Sequence, residues 1–175
     1  MAPEKRTSTR QVPPRELFTH NSLAVNVRRP MIDLLNQCLA DAVDLETQAR
    51  QAHWNVSGPN FIALHALFDK VFQQIQSHVD TLAERVTALG GIAVGTAAAA
   101  AKHSRLPSYP ADAVGGTTHV EALSSALASF GRSVREAIPR AEDAGDMGTS
   151  DLFTEISRDI DQQLWLVEAH LRTQT

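Results

Sequence analysis

Cysteine is almost absent from this sequence, since Cys38 is the only one among 175 residues. An internal disulfide is therefore excluded, which fits a reducing compartment. Aromatic residues make up only 5% of the chain. No apolar run approaches the ~18–20 residues of a membrane span. The amino terminus has no apolar segment typical of a secretory signal. We therefore expect a cytoplasmic protein that does not enter a membrane.

Charge is distributed unevenly along the chain. The whole chain carries a net charge of −4, but residues 1–29 contain six Lys and Arg side chains against two Glu. Residues 1–22 hold three prolines and show no apolar periodicity, which predicts a flexible basic arm. Hydrophobic residues reach 43% of the chain, enough for a substantial core. Residues 23–175 are therefore predicted to form one domain.

Apolar residues recur at three- and four-residue spacing in four long segments, which predicts four amphipathic helices. The first is predicted to begin at Pro30, because proline suits a first helical position. It ends near Ser57-Gly58-Pro59, which acts as a helix stop and a sharp connection. Asn60 is a plausible N-cap for the second helix, and Gly90-Gly91 ends it.

The segment between the second and third long helices has a different composition. Residues 92–116 contain an Ala run and then Pro and Gly, which predicts a long crossover with one short helix. Thr118 and Glu121 form a capping-box pattern at the start of the third helix, and Pro139 should loosen its last turns. A turn from Asp143 to Gly148 precedes the fourth helix. This layout predicts an all-α, ferritin-like four-helix bundle.

Four side chains of the second helix are spaced for metal binding. We call His65 and Asp69 the upstream pair, and Asp80 and Glu84 the downstream pair. At about 100° per residue, all four point toward one side of the helix. At ~1.5 Å per residue, however, Asp69 and Asp80 lie roughly 16 Å apart along the axis. Metal–ligand bonds are about 2 Å long. One straight helix therefore cannot bring both pairs to one ion.

The two pairs are spaced nearly symmetrically about Gln74, and this symmetry suggests how both pairs could reach the same ion. If the helix packs antiparallel against its own copy across a two-fold axis, the upstream pair of one copy faces the downstream pair of the other. Two equivalent sites then form in each dimer. His53, at the end of the first helix, is a candidate fifth ligand. This nitrogen and oxygen set suits iron, and it also accommodates zinc or manganese.

A simpler interpretation of the same residues stays open. Polar side chains four residues apart on a helix commonly form a solvated face. The upstream pair would then be a surface hydrogen bond, and the downstream pair an acidic face with Arg85 as a counter-charge. Val79 and Leu82 flank Asp80, however, so this side of the helix lies close to buried surface. Buried carboxylates need a partner such as a metal.

Residues 53–91 carry a long motif around these side chains. It reads H-W-N-x-x-G-x-N-F-x-x-x-H-x-x-x-D, then ten residues, then D-x-x-x-E-R and finally L-G-G. The motif resembles the signature of Dps proteins, the small twelve-subunit ferritins of starved or oxidatively stressed bacteria. The helix layout extends the resemblance from residue 30 to about residue 170, and the arm lies outside it.

The resemblance implies a ferroxidase centre, with His53 and the upstream pair from one subunit and the downstream pair from another. It implies that Fe2+ is oxidised, by hydrogen peroxide in preference to O2. Ferric mineral would be stored inside a hollow dodecamer built from two-fold dimers, protecting DNA. Trp54 matches the family's aromatic residue near the site, with packing at a helix end as the alternative interpretation. Ala66 stands where many relatives have Glu, which leaves the residues of mineral nucleation open.

The resemblance also implies a route for iron into the interior. The family has acid-lined channels at a three-fold axis, near the turn into the last helix. The matching residues here are Asp146, Asp151 and Glu155, which predicts an iron-access pore. The alternative is that these acids only complement the dipole of a helix N-terminus.

DNA is a further possible partner, through the arm. Its basic side chains, repeated on twelve subunits, predict multivalent contacts to phosphates. The residues are Lys5, Arg6, Arg10 and Arg15. The acidic body opposes such binding. Two other functions therefore stay open beside the iron-oxidising mini-ferritin. One is a DNA-compacting protein of the bacterial nucleoid with a secondary metal site, and the other is a structural helical bundle.

Overall fold

The computed structural model describes residues 17–172, and this part of the chain is helical. A short 3-10 turn, Ala169–Leu171, follows the last helix. Within the described range there is one isolated β-bridge and no strand. The five α-helices are α1 (Val25–Asn55), α2 (Phe61–Ala88), α3 (Ala97–His103), α4 (Gly116–Asp143) and α5 (Met147–Glu168). The predicted all-α fold, with four long helices and a short helix in the crossover, is confirmed.

The predicted start of the first helix is wrong, because α1 begins at Val25 rather than at Pro30. The guanidinium of Arg28 fixes this first turn by donating to the backbone oxygens of Leu23, at 3.1 Å, and Leu89, at 2.7 Å. Pro30 lies in the second turn, where its missing N–H removes one helical hydrogen bond. The earlier residues of the predicted arm, 1–16, lie outside the described residues.

The predicted capping box at the third long helix is also wrong. α4 begins at Gly116, after an N-cap at Gly115 that has no side-chain cap bond, so Thr118 lies within the helix. A tertiary contact sets this start instead. Ser57 forms the isolated bridge with Gly115, and a Cβ on Gly116 would lie 2.6 Å from the Leu64 side chain. A side chain at Gly116 would therefore require the Leu64 side chain to move.

The ends of α2 agree with the sequence prediction. Asn60 occupies the N-cap position, although its side chain makes no cap bond. Gly90 adopts a φ of 82°, a conformation that favours glycine, and its N–H donates to the Thr87 oxygen at 2.9 Å. Pro139 lies inside α4, which continues to Asp143.

The four long helices form a bundle with one hydrophobic core. α1 packs against α2 and α4 against α5, while contacts of α1 with α4 and of α2 with α5 close the bundle. Every long helix contributes to the core; examples are Leu35, Phe68, Phe130 and Phe153, all fully buried. The bridge from Ser57 to Gly115 places the starts of α2 and α4 at one end. These two helices therefore run parallel, which is why the connection between them is long.

Polar contacts tie the crossover to α1. The fully buried Asp41 carboxylate accepts from the backbone N–H of Arg105 at 2.8 Å and from its guanidinium at 2.5 Å. Asp44 accepts from the Ser104 hydroxyl at 2.5 Å. The exit of α3 is thus held against α1. In residues 17–172, no helix is long and apolar enough to cross a membrane.

Candidate metal centre

His53, in the last turn of α1, and His65, near the start of α2, form a stacked pair. Their ring centroids are 3.8 Å apart. The Nδ1 of His53 lies 3.0 Å from the backbone oxygen of His65, and the Nδ1 of His65 lies 2.9 Å from the backbone oxygen of His53. A carbonyl oxygen only accepts, so each Nδ1 carries a proton and donates. In the neutral ring, Nε2 then carries the lone pair, which is the form that binds a metal.

The short connection between the two helices produces this pairing. Gly58 adopts a φ of 107°, which favours glycine and lets the chain reverse within a few residues. The last carbonyl groups of a helix have no partner within the helix. The His65 ring satisfies one of them, on His53. The two rings are therefore held in place by the backbone that joins their helices.

Asp69 lies one turn after His65 on α2 and is half-buried. Its Oδ2 accepts from the Gln73 amide at 2.8 Å, and its Oδ1 lies 4.0 Å from the Arg50 guanidinium. Arg50 itself lies against the Phe72 ring, 3.3 Å from the centroid. These neighbours hold the Asp69 carboxylate on α2, one helical turn after His65. His53, His65 and Asp69 make up the upstream candidate half-site, although the three side chains are not close enough together to hold a metal ion.

The downstream pair, Asp80 and Glu84, is exposed on the same helix. Within residues 17–172 neither carboxylate has a hydrogen bond or an ion pair. Arg85, the predicted counter-charge, points elsewhere: its guanidinium donates to Asp146 at 2.6 Å and to the Thr149 hydroxyl at 3.0 Å. The counter-charge that the simpler interpretation assigned to this pair is therefore absent from the described part of the chain. Two adjacent negative charges lie on this face without a cation from the described part of their own chain.

The two halves do not meet within one chain. Across the described range, no three His, Cys, Asp or Glu side chains lie close enough together to hold a metal ion. The upstream pair has His53 beside it, whereas the downstream pair lies farther along α2. The structure therefore presents two separate candidate half-sites, one shared by α1 and α2 and one on α2 alone.

The three residues predicted to line a pore differ in their environments. Asp146 is buried, and its Oδ1 caps α5 by accepting from the Thr149 N–H at 3.0 Å while also pairing with Arg85. Asp151 and Glu155 are exposed on α5. The Asp146 carboxylate is committed to partners within the chain, so the pore prediction depends on the two exposed acids. The four basic arm residues predicted to contact DNA lie outside the described residues.

Sequence reasoning missed two buried histidines. His78 lies between α2 and α5, with its Nε2 3.3 Å from Asp159. Burial lowers the pKa of His78, and the nearby Asp159 and Glu155 only partly offset this effect. His119 is fully buried on α4 and accepts a hydrogen bond from Tyr109. The signal was available for His78, because it falls three residues after Ile75 on the apolar stripe of α2.

Comparison with known proteins shows the family to which this chain belongs. Residues 32–174 match the family described as the Ferritin-like domain. The DNA protection during starvation protein of Agrobacterium fabrum is 42% identical over 154 residues, covering 88% of this chain and 95% of the relative. The structure of DpsC from Streptomyces coelicolor has a TM-score of 0.86 at 30% identity, covering 93% of this chain and 94% of that one.

A third similarity comes from Vibrio cholerae O1. The structure of its Dps protein is described as a member of a broad superfamily of ferritin-like diiron-carboxylate proteins. It has a TM-score of 0.79 at 25% identity, covering 83% of this chain and 91% of that one. These matches confirm the resemblance found in residues 53–91. The chain belongs to the Dps family of ferritin-like proteins.

Proposed function

We propose that this chain is an iron-oxidising and iron-storing mini-ferritin whose ferroxidase centres form between two subunits. His53 and the upstream pair of one subunit supply half of each centre, and the downstream pair of a second subunit supplies the other half. The uncompensated charge of Asp80 and Glu84 carries this proposal. They lie on the exposed face of the helix that also bears the His65 imidazole with a free Nε2.

The donor set suits iron as a substrate. Carboxylate oxygens attract Fe3+ more strongly than Fe2+, because the attraction grows with the charge of the ion, so they favour the oxidised product. The two neutral imidazoles complete a mixed nitrogen and oxygen set, which also accepts zinc or manganese. Hydrogen bonds at both Nδ1 atoms hold the rings in position before any ion arrives.

Hydrogen peroxide is the proposed oxidant, in preference to O2. Two Fe2+ ions lose one electron each, and peroxide accepts both electrons to give water. Because the two electrons come from paired ions, no hydroxyl radical is released. Oxidation consumes the peroxide, and storage of the ferric product in a hollow dodecamer would remove the iron, so both reactants of radical formation are depleted. The Agrobacterium relative is named as a DNA protection protein, which supports a protective function.

Two double variants test whether the centre is shared. His65→Ala with Asp69→Ala removes one half, and Asp80→Ala with Glu84→Ala removes the other. Anaerobic loading with Fe2+ followed by peroxide, monitored by ultraviolet absorbance, should show that neither variant oxidises iron faster than buffer. A matched control, Asp112→Ala with Glu121→Ala, removes two exposed carboxylates outside α2 and should keep the wild-type rate.

Mixing the two defective variants is the decisive step. After dissociation and joint reassembly, each mixed dimer contains one site in which both halves are intact. Random mixing should therefore restore about a quarter of the wild-type sites. If the mixed dimers recover no iron oxidation, the proposal of a shared centre is refuted. Wild-type protein that oxidises Fe2+ no faster than buffer would refute the ferroxidase function itself.

Iron access through Asp151 and Glu155 is part of the same proposal. Both carboxylates are exposed on α5, where repeated copies would attract cations. Asp151→Asn with Glu155→Gln should slow iron oxidation at low salt and leave the final amount of ferric product unchanged. An unchanged rate at low salt would count against the pore.

A further inference from the structure

Arg50, on α1, lies beside the proposed ligand Asp69 and has no part in the ligand set itself. Its guanidinium is 4.0 Å from Asp69 Oδ1. The Cζ atom of the same group lies 3.3 Å from the centroid of the Phe72 ring and 5.9 Å from that of Trp54. Aromatic faces attract a guanidinium, so the two rings hold its positive charge in this position. A cation of the chain itself therefore lies next to a proposed iron ligand.

Both oxygens of the Asp69 carboxylate face a polar neighbour of the same chain. Oδ1 faces Arg50, and Oδ2 accepts a hydrogen bond from the Gln73 amide at 2.8 Å. In this arrangement the carboxylate does not come close enough to His53 and His65 for the three side chains to hold an ion. A metal ion that binds Asp69 must therefore compete with the charge of Arg50.

A divalent ion competes with Arg50 more readily than a monovalent ion does. The side chains of Arg50 and Asp69 are 32% and 37% exposed, and ion pairs as exposed as this one are weak. Coulomb attraction grows with charge and falls with distance. A divalent ion at a metal–ligand distance of ~2 Å therefore attracts the carboxylate about four times as strongly as Arg50 does at 4.0 Å. A monovalent ion carries half that charge and gains far less over the guanidinium.

Glu46 offers the guanidinium a second acceptor. It is half-buried and lies one helical turn before Arg50 on α1, whereas Trp54 lies one turn after Arg50. An acid four residues before a base is the favourable order for an ion pair along a helix. Burial raises the pKa of Glu46, and the charge of Arg50 lowers it, so the two groups already interact. Within residues 17–172 the ion pair of Arg50 is nevertheless with Asp69, which leaves Glu46 available.

We propose that Arg50 is a displaceable counter-ion that makes the upstream half-site selective for divalent over monovalent cations. Arg50 neutralises Asp69 until a divalent ion binds the carboxylate, and the guanidinium then turns toward Glu46. The proposal rests on the proposed ferroxidase function, because that function assigns Asp69 as a ligand. Arg50 is a positioning residue, since it does not touch the reacting atoms. Its charge keeps monovalent ions from the carboxylate and raises the concentration of divalent ion that fills the site.

Zinc binding tests this competition without oxidation, because Zn2+ has no redox chemistry. In isothermal titration calorimetry of the assembled protein, Arg50→Gln should bind Zn2+ about five- to tenfold more tightly than the wild type, since it lacks the competing charge. Arg50→Lys keeps the charge and should stay within about twofold of the wild type. Arg132→Gln removes an exposed arginine of α4 as the matched control and should leave zinc affinity unchanged.

Selectivity is tested by changing the monovalent cation at constant ionic strength. When KCl replaces tetramethylammonium chloride, the larger cation that cannot approach a carboxylate closely is exchanged for one that can. Zinc binding by Arg50→Gln should then weaken, because K+ occupies the unprotected Asp69. Zinc binding by the wild type should not change. The same K+ dependence in both proteins would overturn the role of Arg50 in selectivity.

A double-mutant cycle tests the second position of the guanidinium. Glu46→Gln removes the second acceptor and should weaken zinc binding about two- to fivefold in the wild-type background. In the Arg50→Gln background the same change should have no effect, because no guanidinium remains to be moved. A carboxylate that only adds negative charge would weaken zinc binding equally in both backgrounds. That result would refute the transfer to Glu46.

The fluorescence of Trp54 reports the movement of Arg50. Trp165→Phe leaves Trp54 as the only tryptophan of the chain. In this protein Zn2+ should change the Trp54 emission, because the guanidinium leaves its position 5.9 Å from the ring when it turns toward Glu46. Adding Arg50→Gln should remove the change. An equal change in both proteins would overturn the proposed movement.

The outcomes separate this proposal from the ferroxidase function. Zinc binding with the expected changes, but without oxidation of Fe2+ by the wild type, would refute the ferroxidase function and leave Arg50 in its role. Normal iron oxidation with unchanged or weaker zinc binding by Arg50→Gln would overturn the role of Arg50 alone. Zinc binding by neither the wild type nor Arg50→Gln would overturn both.

Discussion

Replacing Asp146 with Asn should destabilise the fold, because Arg85 would then face a neutral group in a largely buried position. Asp146 is 1% exposed and Arg85 is 23% exposed, and their closest nitrogen–oxygen distance is 2.6 Å. Removing one partner of a fully buried ion pair costs about 3–5 kcal/mol. The partial exposure of Arg85 to solvent reduces the expected loss in the free energy of unfolding to about 2–3 kcal/mol.

The choice of substitution separates charge from helix capping. Asn is as good an N-cap as Asp, so Asp146→Asn should preserve the bond from the Thr149 N–H. Asp146→Ala removes that cap as well and should cost about 1 kcal/mol more. Asp151→Asn is the matched control, because Asp151 is an exposed carboxylate on the same helix. It should stay within about 0.5 kcal/mol of the wild type.

Denaturant unfolding at one fixed protein concentration measures these differences, because assembly makes the midpoint depend on concentration. Iron oxidation by the folded variants is measured in parallel. If Asp146 lines an iron-access pore, Asp146→Asn should slow iron oxidation and leave stability unchanged. That combination would refute the assignment of Asp146 as a cap and ion-pair partner.

The remaining predictions concern DNA, pH and the crossover. Deleting residues 1–20 should abolish gel shifts of DNA, and binding by the full chain should weaken steeply with salt because counterions are released; gel shifts that survive the deletion would exclude the arm. Burial lowers the pKa of His78 in the folded protein below its ordinary value of 6.5. Below about pH 6.5 the unfolded chain therefore binds more protons at this histidine than the folded protein does, and the free energy of unfolding should fall as the pH drops. Thermal melting against pH should show a flatter profile for His78→Gln, and an identical profile would contradict this. Arg105→Met should cost about 2–3 kcal/mol in denaturant unfolding by stranding the buried Asp41, whereas Arg132→Met, an exposed control, should cost less than about 0.5 kcal/mol.

Features that depend on helix geometry alone could be predicted from the sequence. The separation of the upstream and downstream pairs follows from the rise per residue, which is the same in every α-helix. The end of α2 follows from Gly90, whose conformation is local. The start of α1 could not be predicted in this way. It depends on Arg28 reaching the Leu89 oxygen, 61 residues away in sequence, and no local pattern records that contact.

The ion-pair and hydrogen-bond partners of individual side chains are the second feature that could not be predicted from the sequence. Arg85 directly follows Glu84 and lies five residues after Asp80. Proximity in sequence therefore suggested it as the counter-charge of these two acids. The structure pairs it with Asp146, which α5 brings beside the end of α2. The bond between Tyr109 and His119 was missed for the same reason, because it requires the path of the crossover. Side-chain pairing across helices is set by tertiary packing.

The downstream pair shows how an unfavourable local pattern can support a proposal about a functional site. Two like charges four residues apart destabilise a helix by about 0.2–0.5 kcal/mol, whereas an opposite charge at either position would stabilise it by a similar amount. With Arg85 engaged by Asp146, nothing in the described part of the chain offsets the repulsion between Asp80 and Glu84. Helix stability therefore does not explain the two acids. The cation that we propose to lie between subunits would explain them, because it would turn the repulsion into ligand charge.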